Sequence, residues 1–221
     1  MRKHVGFFAS HTPALSSAFK RMTNDEKQRV AAAHEFYEHQ LGDSTKNAEF
    51  QPEGVAMGMH DTVDDAMART KQKGARADEI KCRKGCSHCC YGDTWVTSEE
   101  AKLLILGARE GRVFIDVEKL QAQAAHEEWD AVPAAERACV FLGSDGACRV
   151  YDVRPMVCRK YHVISDPDEC DTFKHPGHKV LNFVSMEAEI FCSAAFAVLQ
   201  SGRMAKMLLQ AAHEASGAEK T

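Results

Sequence analysis

Nine cysteines are the side chains of this sequence whose type and spacing are best suited to chemistry. Four of them lie within nine positions, as Cys82, Cys86, Cys89 and Cys90. The others follow at Cys139, Cys148, Cys158, Cys170 and Cys192. Cysteine thiolates bind zinc and iron–sulfur clusters when short loops bring several sulfurs together. The crowding of the first four therefore predicts a metal site or a redox site.

A disulfide framework is the main alternative for a cysteine-rich chain. Such frameworks are typical of short secreted domains and use an even number of cysteines. This chain of 221 residues has an odd number, and its apolar stretch at residues 5–9 is too short for the core of a secretory signal. We therefore expect reduced thiols and a cytoplasmic protein.

The cysteines divide into two sets along the chain. In the first set, Gly85 can take the positive φ that a tight metal-binding loop requires. In the second set, residues 143–146 predict a hairpin turn that brings Cys139 and Cys148 close together. Pro155 can open the helical turn that carries the next cysteine.

Individual cysteines also differ in their surroundings. Cys89 and Cys90 are adjacent, and because neighbouring side chains diverge in most backbone conformations, we expect Cys90 to serve a different centre or face. Cys170 follows in a polar loop and is predicted to be a ligand, whereas Cys192 lies in an apolar stretch and is predicted to be buried in the core. Eight ligands, enough for two closed four-cysteine sites, are therefore predicted: Cys82, Cys86, Cys89, Cys90, Cys139, Cys148, Cys158 and Cys170.

Basic residues accompany the cysteine segments, although the formal net charge of the chain is −4. Nearby cations lower the pKa of a thiol and favour the thiolate that a metal requires. The residues concerned are Arg83, Lys84, Arg149, Arg154, Arg159 and Lys160. We expect them to make the metal site locally positive, with simple solvation of each side chain as the alternative.

Four histidines are candidates for an open coordination position, which a catalytic metal would need. His88 lies inside the first cysteine segment, and His162, His175 and His178 follow the second set. For His88, an outer hydrogen-bonding role is the alternative. The sequence has no nucleophile-elbow motif and no phosphate-binding glycine loop. Whether the protein is an enzyme therefore stays open, with a metal-dependent redox or protein-modifying enzyme as the alternative to a metal-holding protein.

Helical periodicity describes the cysteine-free first part of the chain. It predicts a helix over residues 25–41, with Asn24 as its cap and Gly42 as its end. A second helix is predicted over residues 52–73, where methionine and valine recur at four-residue spacing. Methionines at this spacing are typical of a packing face rather than of a cofactor site.

Three further helices are predicted on the cysteine-containing side. Thr97 and Glu100 form a capping box for a helix that ends near residue 110. Asp116 is the predicted cap of a helix that runs to about residue 130. Ser185 opens a long helix that is apolar on all sides and is therefore expected to be buried.

Together these elements predict a mainly α protein with a small β-hairpin, in which a cysteine-rich metal-binding core packs on helices. The hairpin strands are expected at residues 139–142 and 148–151. The expected organisation is a helical N-terminal extension at 1–80, a metal-binding domain at 81–184, and a C-terminal helix that packs on the core at 185–221.

The composition excludes several classes of protein and partner. Hydrophobic residues make up 44% of the chain and charged residues 27%, as in a globular protein rather than a disordered one. No apolar run approaches the ~18 residues of a membrane-spanning helix. The net charge of −4 provides no overall basic surface for nucleic acid. The expected partners are therefore a metal ion or cluster and, for a catalytic centre, another protein, but neither a membrane nor nucleic acid.

The joint order of the motifs resembles the YkgJ-type cysteine-cluster family. The residues that carry the resemblance are Cys82-x3-Cys86-x2-Cys89-Cys90, Cys139-x-Phe141-Leu142 and Gly146-x-Cys148-x2-Tyr151-x2-Arg154-Pro155-x2-Cys158-Arg159. The resemblance covers roughly residues 81–170 and implies a zinc- or iron-chelating domain. Both metals use thiolates, so the choice stays open; three close cysteines and a remote fourth favour an iron–sulfur centre or redox-active iron over zinc.

Overall fold

The computed structural model describes residues 12–46, 51–74, 76–83 and 85–218, so the apolar stretch at residues 5–9 lies outside it. Its helices within these ranges are α1 (Pro13–Arg21), α2 (Asn24–Lys46), α3 (Pro52–Lys73), α4 (Ser98–Arg109), α5 (Val117–Ala124), α6 (Met156–Lys160), α7 (Met186–Val198) and α8 (Met204–Ala218). Four short strands form two antiparallel pairs, β1 (Trp95–Thr97) with β4 (Ser201–Arg203) and β2 (His162–Val163) with β3 (Asn182–Phe183). The predicted mainly α fold with a small antiparallel β element is confirmed. No helix of the described ranges is long and apolar enough to span a membrane.

Side-chain caps fix the starts of three helices as predicted. At α4, Thr97 Oγ1 accepts from Glu100 N at 3.3 Å, and the Glu100 carboxylate accepts from Thr97 N at 3.0 Å. The capping box is therefore confirmed. Asp116 caps α5 and Ser185 caps α7, each by accepting a backbone N–H from the first turn.

Helix α2 differs from its prediction at both ends. Thr23 rather than Asn24 is its cap, because Thr23 and Glu26 exchange side-chain and backbone hydrogen bonds in the manner of a capping box. The helix also continues through Gly42 to Lys46. A glycine inside a helix costs only about 1 kcal/mol, and burial of the preceding Leu41 offsets that cost.

Helix α5 ends at Ala124, well before the predicted residue 130, and the chain continues in 3₁₀ turns. Tertiary hydrogen bonds replace the helical ones here. Arg203 Nη1 donates to His126 O at 3.1 Å, and Trp129 Nε1 donates to Tyr91 O at 3.3 Å. These partners are remote in the sequence, so periodicity alone does not reveal the early end.

The predicted hairpin forms as a turn with an isolated bridge between Leu142 and Cys148. The strands predicted at 139–142 and 148–151 do not extend beyond that bridge. In the first segment, Leu142 N donates to Cys139 O at 2.9 Å and so closes a tight turn, and the second segment runs into a 3₁₀ turn. The short β-pairs of the fold lie elsewhere, between β1 and β4 and between β2 and β3.

Helix α3 contributes the central face of the main hydrophobic core. Its Met59, Val63 and Met67 are buried in one cluster with Met156 of α6 and Phe191 of α7. The predicted packing face of α3 is therefore confirmed. Because α3 shares this core with α6 and α7, the N-terminal helices belong to the body that supports the cysteine segments.

Two further clusters complete the described core. Helices α4, α5 and α8 pack around Phe141 and Val150, which flank the second set of cysteines. Helix α1 packs on α2 and α7 through Leu15 and Phe19. The domain boundaries at 1–80, 81–184 and 185–221 stay a prediction. The expectation of one C-terminal helix from Ser185 is wrong, because α7 ends at Val198 and β4 separates it from α8, where the chain pairs with β1.

Candidate metal centre

The first cysteine segment is a loop fastened to the body of the protein at β2. Lys81 N donates to Val163 O at 2.9 Å, and Val163 N donates to Cys82 Sγ at 3.2 Å. Gly85 has φ 89°, the left-handed conformation expected for this turn. A 3₁₀ helix follows at His88–Tyr91. The segment therefore holds its first cysteine at β2 and carries the adjacent cysteine pair on a tight turn.

The second set of cysteines is joined directly to the first segment. Cys139 N donates to Cys90 O at 2.8 Å. At the tip of the following turn, Gly146 has φ 75°, and a β-carbon at that position would lie 3.7 Å from Ser87 Oγ. These contacts place Cys139 and Cys148 beside the first segment.

Cys158 lies on α6, and Pro155 precedes this helix as predicted. Cys158 N donates to Pro155 O at 2.9 Å. The intervening Met156 is fully buried, and its N–H donates to a Glu100 carboxylate oxygen at 2.7 Å. The turn that carries Cys158 is therefore braced by the core.

Cys170 ends a 3₁₀ helix, Pro167–Cys170, in the polar loop. Asp166 caps this helix by accepting from Asp168 N at 3.0 Å. The loop reaches the first cysteine segment through the rings of Tyr91 and Phe173, whose centroids are 5.6 Å apart. Cys170 is therefore held beside the first segment by surface contacts.

Three cysteines on neighbouring loops, Cys82, Cys86 and Cys170, form a first group, which we call the loop group. The Cys170 loop contacts the first segment through Tyr91 and Phe173, and His88 Nδ1 lies 3.8 Å from Asp171 Oδ2. Burial raises the pKa of Cys170 to about 11, and the thiols of Cys82 and Cys86 add to the rise. Burial also raises the pKa of Cys82, with Cys86 contributing.

The second group of three is Cys139, Cys148 and Cys158, which we call the braced group. Burial raises the pKa of Cys139 to about 11, and Cys148 adds to the rise. Burial raises the pKa of Cys158 well above its ordinary value, and the thiols of Cys139 and Cys148 add to it. The turn and helix α6 thus bring together three cysteines that are remote in the sequence.

Cys89 acts on both groups. Its thiol raises the pKa of Cys82 and Cys170 in the loop group, and of Cys139 and Cys158 in the braced group. A hydrogen bond with the adjacent Cys90 thiol is the main cause that raises the pKa of Cys89 itself. Cys89 is therefore the cysteine of the adjacent pair that influences both groups, whereas Cys90 influences Cys89.

The donor set of the two groups fits a thiophilic metal. All nine cysteines fall within the described ranges and are free thiols. Thiolates crowded in this way repel one another, and a bound cation removes that repulsion. Zinc and iron–sulfur clusters both accept four cysteine ligands. Within the described ranges, however, no three His, Cys, Asp or Glu side chains have the spacing of a finished metal site, so the sulfurs would have to close around a metal.

Three candidate histidines pair with carboxylates of the polar loop. His175 Nε2 lies 3.2 Å from Asp168 Oδ2, and His178 Nε2 lies 2.9 Å from Glu169 Oε2. His88 Nδ1 lies 3.8 Å from an oxygen of Asp171.

His162 occupies a different environment, beside helix α3. Its Nε2 lies 3.4 Å from Lys71 Nζ. Burial, followed by the charge of Lys71, lowers the pKa of His162 to about 4, so the ring is neutral at physiological pH. Among the described residues, the structure groups none of the four candidate histidines with two further potential ligands.

Most of the basic residues near the cysteines have partners other than sulfur. The ion pairs are Arg149 with Asp145, Arg159 with Asp64, and Lys160 with Glu189. Burial raises the pKa of Cys148, and the hydrogen bond with Cys90 raises that of Cys89; the charge of Arg154 opposes both rises without reversing them, so the predicted lowering of these thiol pKa values is not found. The Arg154 guanidinium lies 3.9 Å from the centroid of the Tyr151 ring. Lys84 lies outside the described residues.

Cys192 is fully buried in the main core, as predicted. Burial raises its pKa, and no other cysteine is among the causes. Sequence reasoning missed a different residue, Glu100, which it interpreted only as a capping partner. The Glu100 carboxylate also contacts Met156 and His60, which a motif within one helix cannot indicate.

Comparison with protein families matches residues 81–178 to the CxxCxxCC family, described as a "putative zinc- or iron-chelating domain". The resemblance inferred from the motifs is therefore confirmed. The matched range contains the eight cysteines of the two groups and the adjacent pair, and it does not include Cys192. Searches of curated proteins and of solved structures found no match to the chain.

Proposed function

We propose that this protein, whose residues 81–178 carry a CxxCxxCC domain, holds an iron–sulfur cluster or zinc through two sets of cysteine thiolates. The observation that carries the proposal is the arrangement of the thiols. The segments that carry eight of the cysteines are in contact with one another: Cys139 N donates to Cys90 O at 2.8 Å, and the Cys170 loop packs on the first segment through Tyr91 and Phe173. Burial raises the pKa of Cys139 and of Cys170 to about 11, so both are neutral without a metal, and a bound cation would favour their thiolate forms.

In the proposed arrangement, each group provides three ligands and the adjacent pair provides one further thiolate to each. Cys82, Cys86 and Cys170 would hold one centre, and Cys139, Cys148 and Cys158 would hold the other. This division follows from the divergence of neighbouring side chains, which disfavours both thiols of the pair on one tetrahedral ion. It also leaves Cys192 out of the metal sites, in agreement with its burial in the apolar core.

Bound zinc would supply structural cross-links, whereas an iron–sulfur cluster would also supply a one-electron redox centre. In either case, basic residues of the chain would offset the negative charge of the metal–thiolate centre. A zinc ion with four thiolates has a net charge of about −2, and the charge of Arg154 would offset part of it, as it already opposes the burial that raises the pKa of Cys148. Lys71 in the same way opposes the burial that raises the pKa of Cys82.

A metal-holding role is favoured over a catalytic one by the partners of the histidines. His175 and His178 each pair one ring nitrogen with a carboxylate, and among the described residues neither lies with two further potential ligands. A reducing compartment is part of this proposal, because the eight cysteines must stay reduced to bind a metal. A metal partner is proposed, and no second function is advanced.

Anaerobic purification with elemental analysis and a visible spectrum tests the proposal. The expected result is two metal centres per chain, either with acid-labile sulfide and broad visible absorption or as colourless zinc. Cys86→Ser and Cys148→Ser should each remove one centre. Cys192→Ala is the matched control and should retain both. A wild-type protein without bound metal, or full metal content in both serine variants, would contradict the proposal.

A further inference from the structure

Glu100 is a buried carboxylate that accepts hydrogen bonds from three separate elements. Its side chain is 1% exposed. One oxygen, Oε2, accepts from Thr97 N at 3.0 Å and from Thr97 Oγ1 at 3.3 Å, which completes the cap of α4. The other oxygen, Oε1, lies 2.7 Å from Met156 N and 3.2 Å from His60 Nε2. A capping box uses only the first oxygen, so the second serves another purpose.

His60 reaches this carboxylate from helix α3, and it is as deeply buried as Glu100. Its Nε2 must carry a proton in order to donate to a carboxylate oxygen. Its Nδ1 has no hydrogen-bond partner in the described part of the chain. The Glu100 contact is therefore the hydrogen bond that the described structure gives to this buried ring, through Nε2, and it ties α3 to α4 at the point where α6 begins.

Met156 is the first residue of α6, and its backbone N–H would lack a partner without Glu100. The first N–H groups of a helix have no acceptor within the helix. Pro155, which precedes it, provides no side-chain cap. Cys158 lies two residues further, and its own N–H is committed to Pro155 O. The position of Cys158 therefore depends on where Glu100 holds the start of the helix.

We propose that Glu100 is a positioning residue for the braced group, fixing Cys158 relative to Cys139 and Cys148. The effect of this positioning on metal binding rests on the proposed function. The positioning of Cys158 by Glu100 is present in the chain without a metal. The loop group has no contact of this kind with Glu100, since Cys82 is held by Val163 at β2 instead.

Two substitutions of Glu100 distinguish the effect of the reach of its side chain from the effect of its carboxylate charge. Glu100→Asp keeps the carboxylate but shortens its reach, so it cannot serve Thr97 and Met156 together. Glu100→Gln keeps the reach but turns one acceptor oxygen into a donor, which would face a backbone N–H in either orientation. Asp116→Asn is the matched control, because Asp116 also caps a helix with a carboxylate, but its partners in the described structure, the backbone N–H and the ammonium of Lys119, belong to that same helix.

Hydrogen–deuterium exchange of the reduced, metal-free full chain provides the test. In both Glu100 variants, amide exchange over residues 156–160 should rise about fivefold or more, as expected for the loss of one hydrogen bond. Exchange over residues 82–90 should stay at the wild-type rate, and Asp116→Asn should change neither segment. Unchanged exchange at 156–160, or an equal rise in both segments, would overturn the inference.

Loading the same proteins with zinc provides the second readout. Wild type and Asp116→Asn should bind two equivalents, whereas the Glu100 variants should keep the loop-group zinc and lose the other. Full retention of both equivalents would overturn the inference and leave the proposed function intact. A wild-type chain that binds no zinc and no iron would refute the proposed function, while the exchange data would still decide whether Glu100 positions α6.

Discussion

The loop group and the braced group both consist of cysteines, but the two groups differ in how deeply the neighbouring residues are buried. Cys170 ends a 3₁₀ helix in a polar surface loop, and its neighbours are exposed or half-buried. Cys158 follows the fully buried Met156 and sits on a helix whose start is fixed by a buried carboxylate. Cys139 and Cys148 lie beside Val140, Phe141 and Val150 of the second hydrophobic cluster.

This difference indicates that the two groups respond differently to the loss of a ligand. In the braced group, the proposed ligands lie next to buried residues, so a bound metal would cross-link parts of the core. In the loop group, a bound metal would mainly order surface segments, which have lower local stability. We therefore expect the braced group to support the fold and the loop group to exchange its metal more readily.

The largest expected difference is between Cys158→Ser and Cys170→Ser in the metal-loaded protein. Loss of a core-linked metal ligand should lower the free energy of unfolding by more than about 4 kcal/mol. The loop variant should lose one centre at a cost of roughly 1–2 kcal/mol. Anaerobic denaturant titration measures both values. Equal losses would show that the two groups are not mechanically distinct.

A smaller effect is expected when the support of the braced group is removed and its ligands are kept. Met156→Ala should cost about 2–5 kcal/mol, because it opens a cavity in the main core. It should also speed the chelator-induced release of metal from the braced group. Leu181→Ala, at a 57% exposed position in the segment that follows the Cys170 loop, is the control and should change neither property. Release that is accelerated equally from both groups would argue against selective bracing.

Cys192 tests the assignment of the ligands, because it is the one cysteine of the nine that the proposal assigns to no metal centre. Cys192→Ser places a hydroxyl in a fully buried apolar site and should cost about 1–3 kcal/mol. The metal content should equal that of the wild type, as measured by elemental analysis of the folded fraction. Loss of a metal centre from that fraction would mean that the assignment of the eight ligands is wrong.

The smallest effect is expected at the histidines of the polar loop. His175→Gln and His178→Gln remove exposed pairs with Asp168 and Glu169, and exposed pairs contribute little to stability. Both variants should match the wild type in metal content and in unfolding midpoint. A lost metal centre in either variant would identify a histidine ligand and favour an open, catalytic site.

Local signals predicted much of the fold and of the candidate site. The Thr97–Glu100 capping box, the Ser185 cap and the turn at Pro155 each depend on residues within a few positions of one another. Burial of Cys192 followed from its apolar neighbours. These features were predictable because short-range hydrogen bonds and hydrophobic periodicity determine them.

The grouping of the cysteines was not predictable in the same way. Cys170 joins Cys82 and Cys86 because a polar loop packs on the first segment through Tyr91 and Phe173. The early end of α5 and the second role of Glu100 also depend on remote partners. Such contacts form only when the helices pack, so spacing along the chain indicates the ligand types but not which ligands meet.

X-ray absorption spectroscopy at the edge of the bound metal tests the central claim most directly, because it counts the atoms that surround each ion. The measurement uses the anaerobically purified wild-type chain. The account predicts four sulfur atoms around each metal and no nitrogen or oxygen neighbour, for zinc and for an iron–sulfur cluster alike. A shell that includes histidine nitrogen or water oxygen would contradict the assignment of two closed thiolate centres.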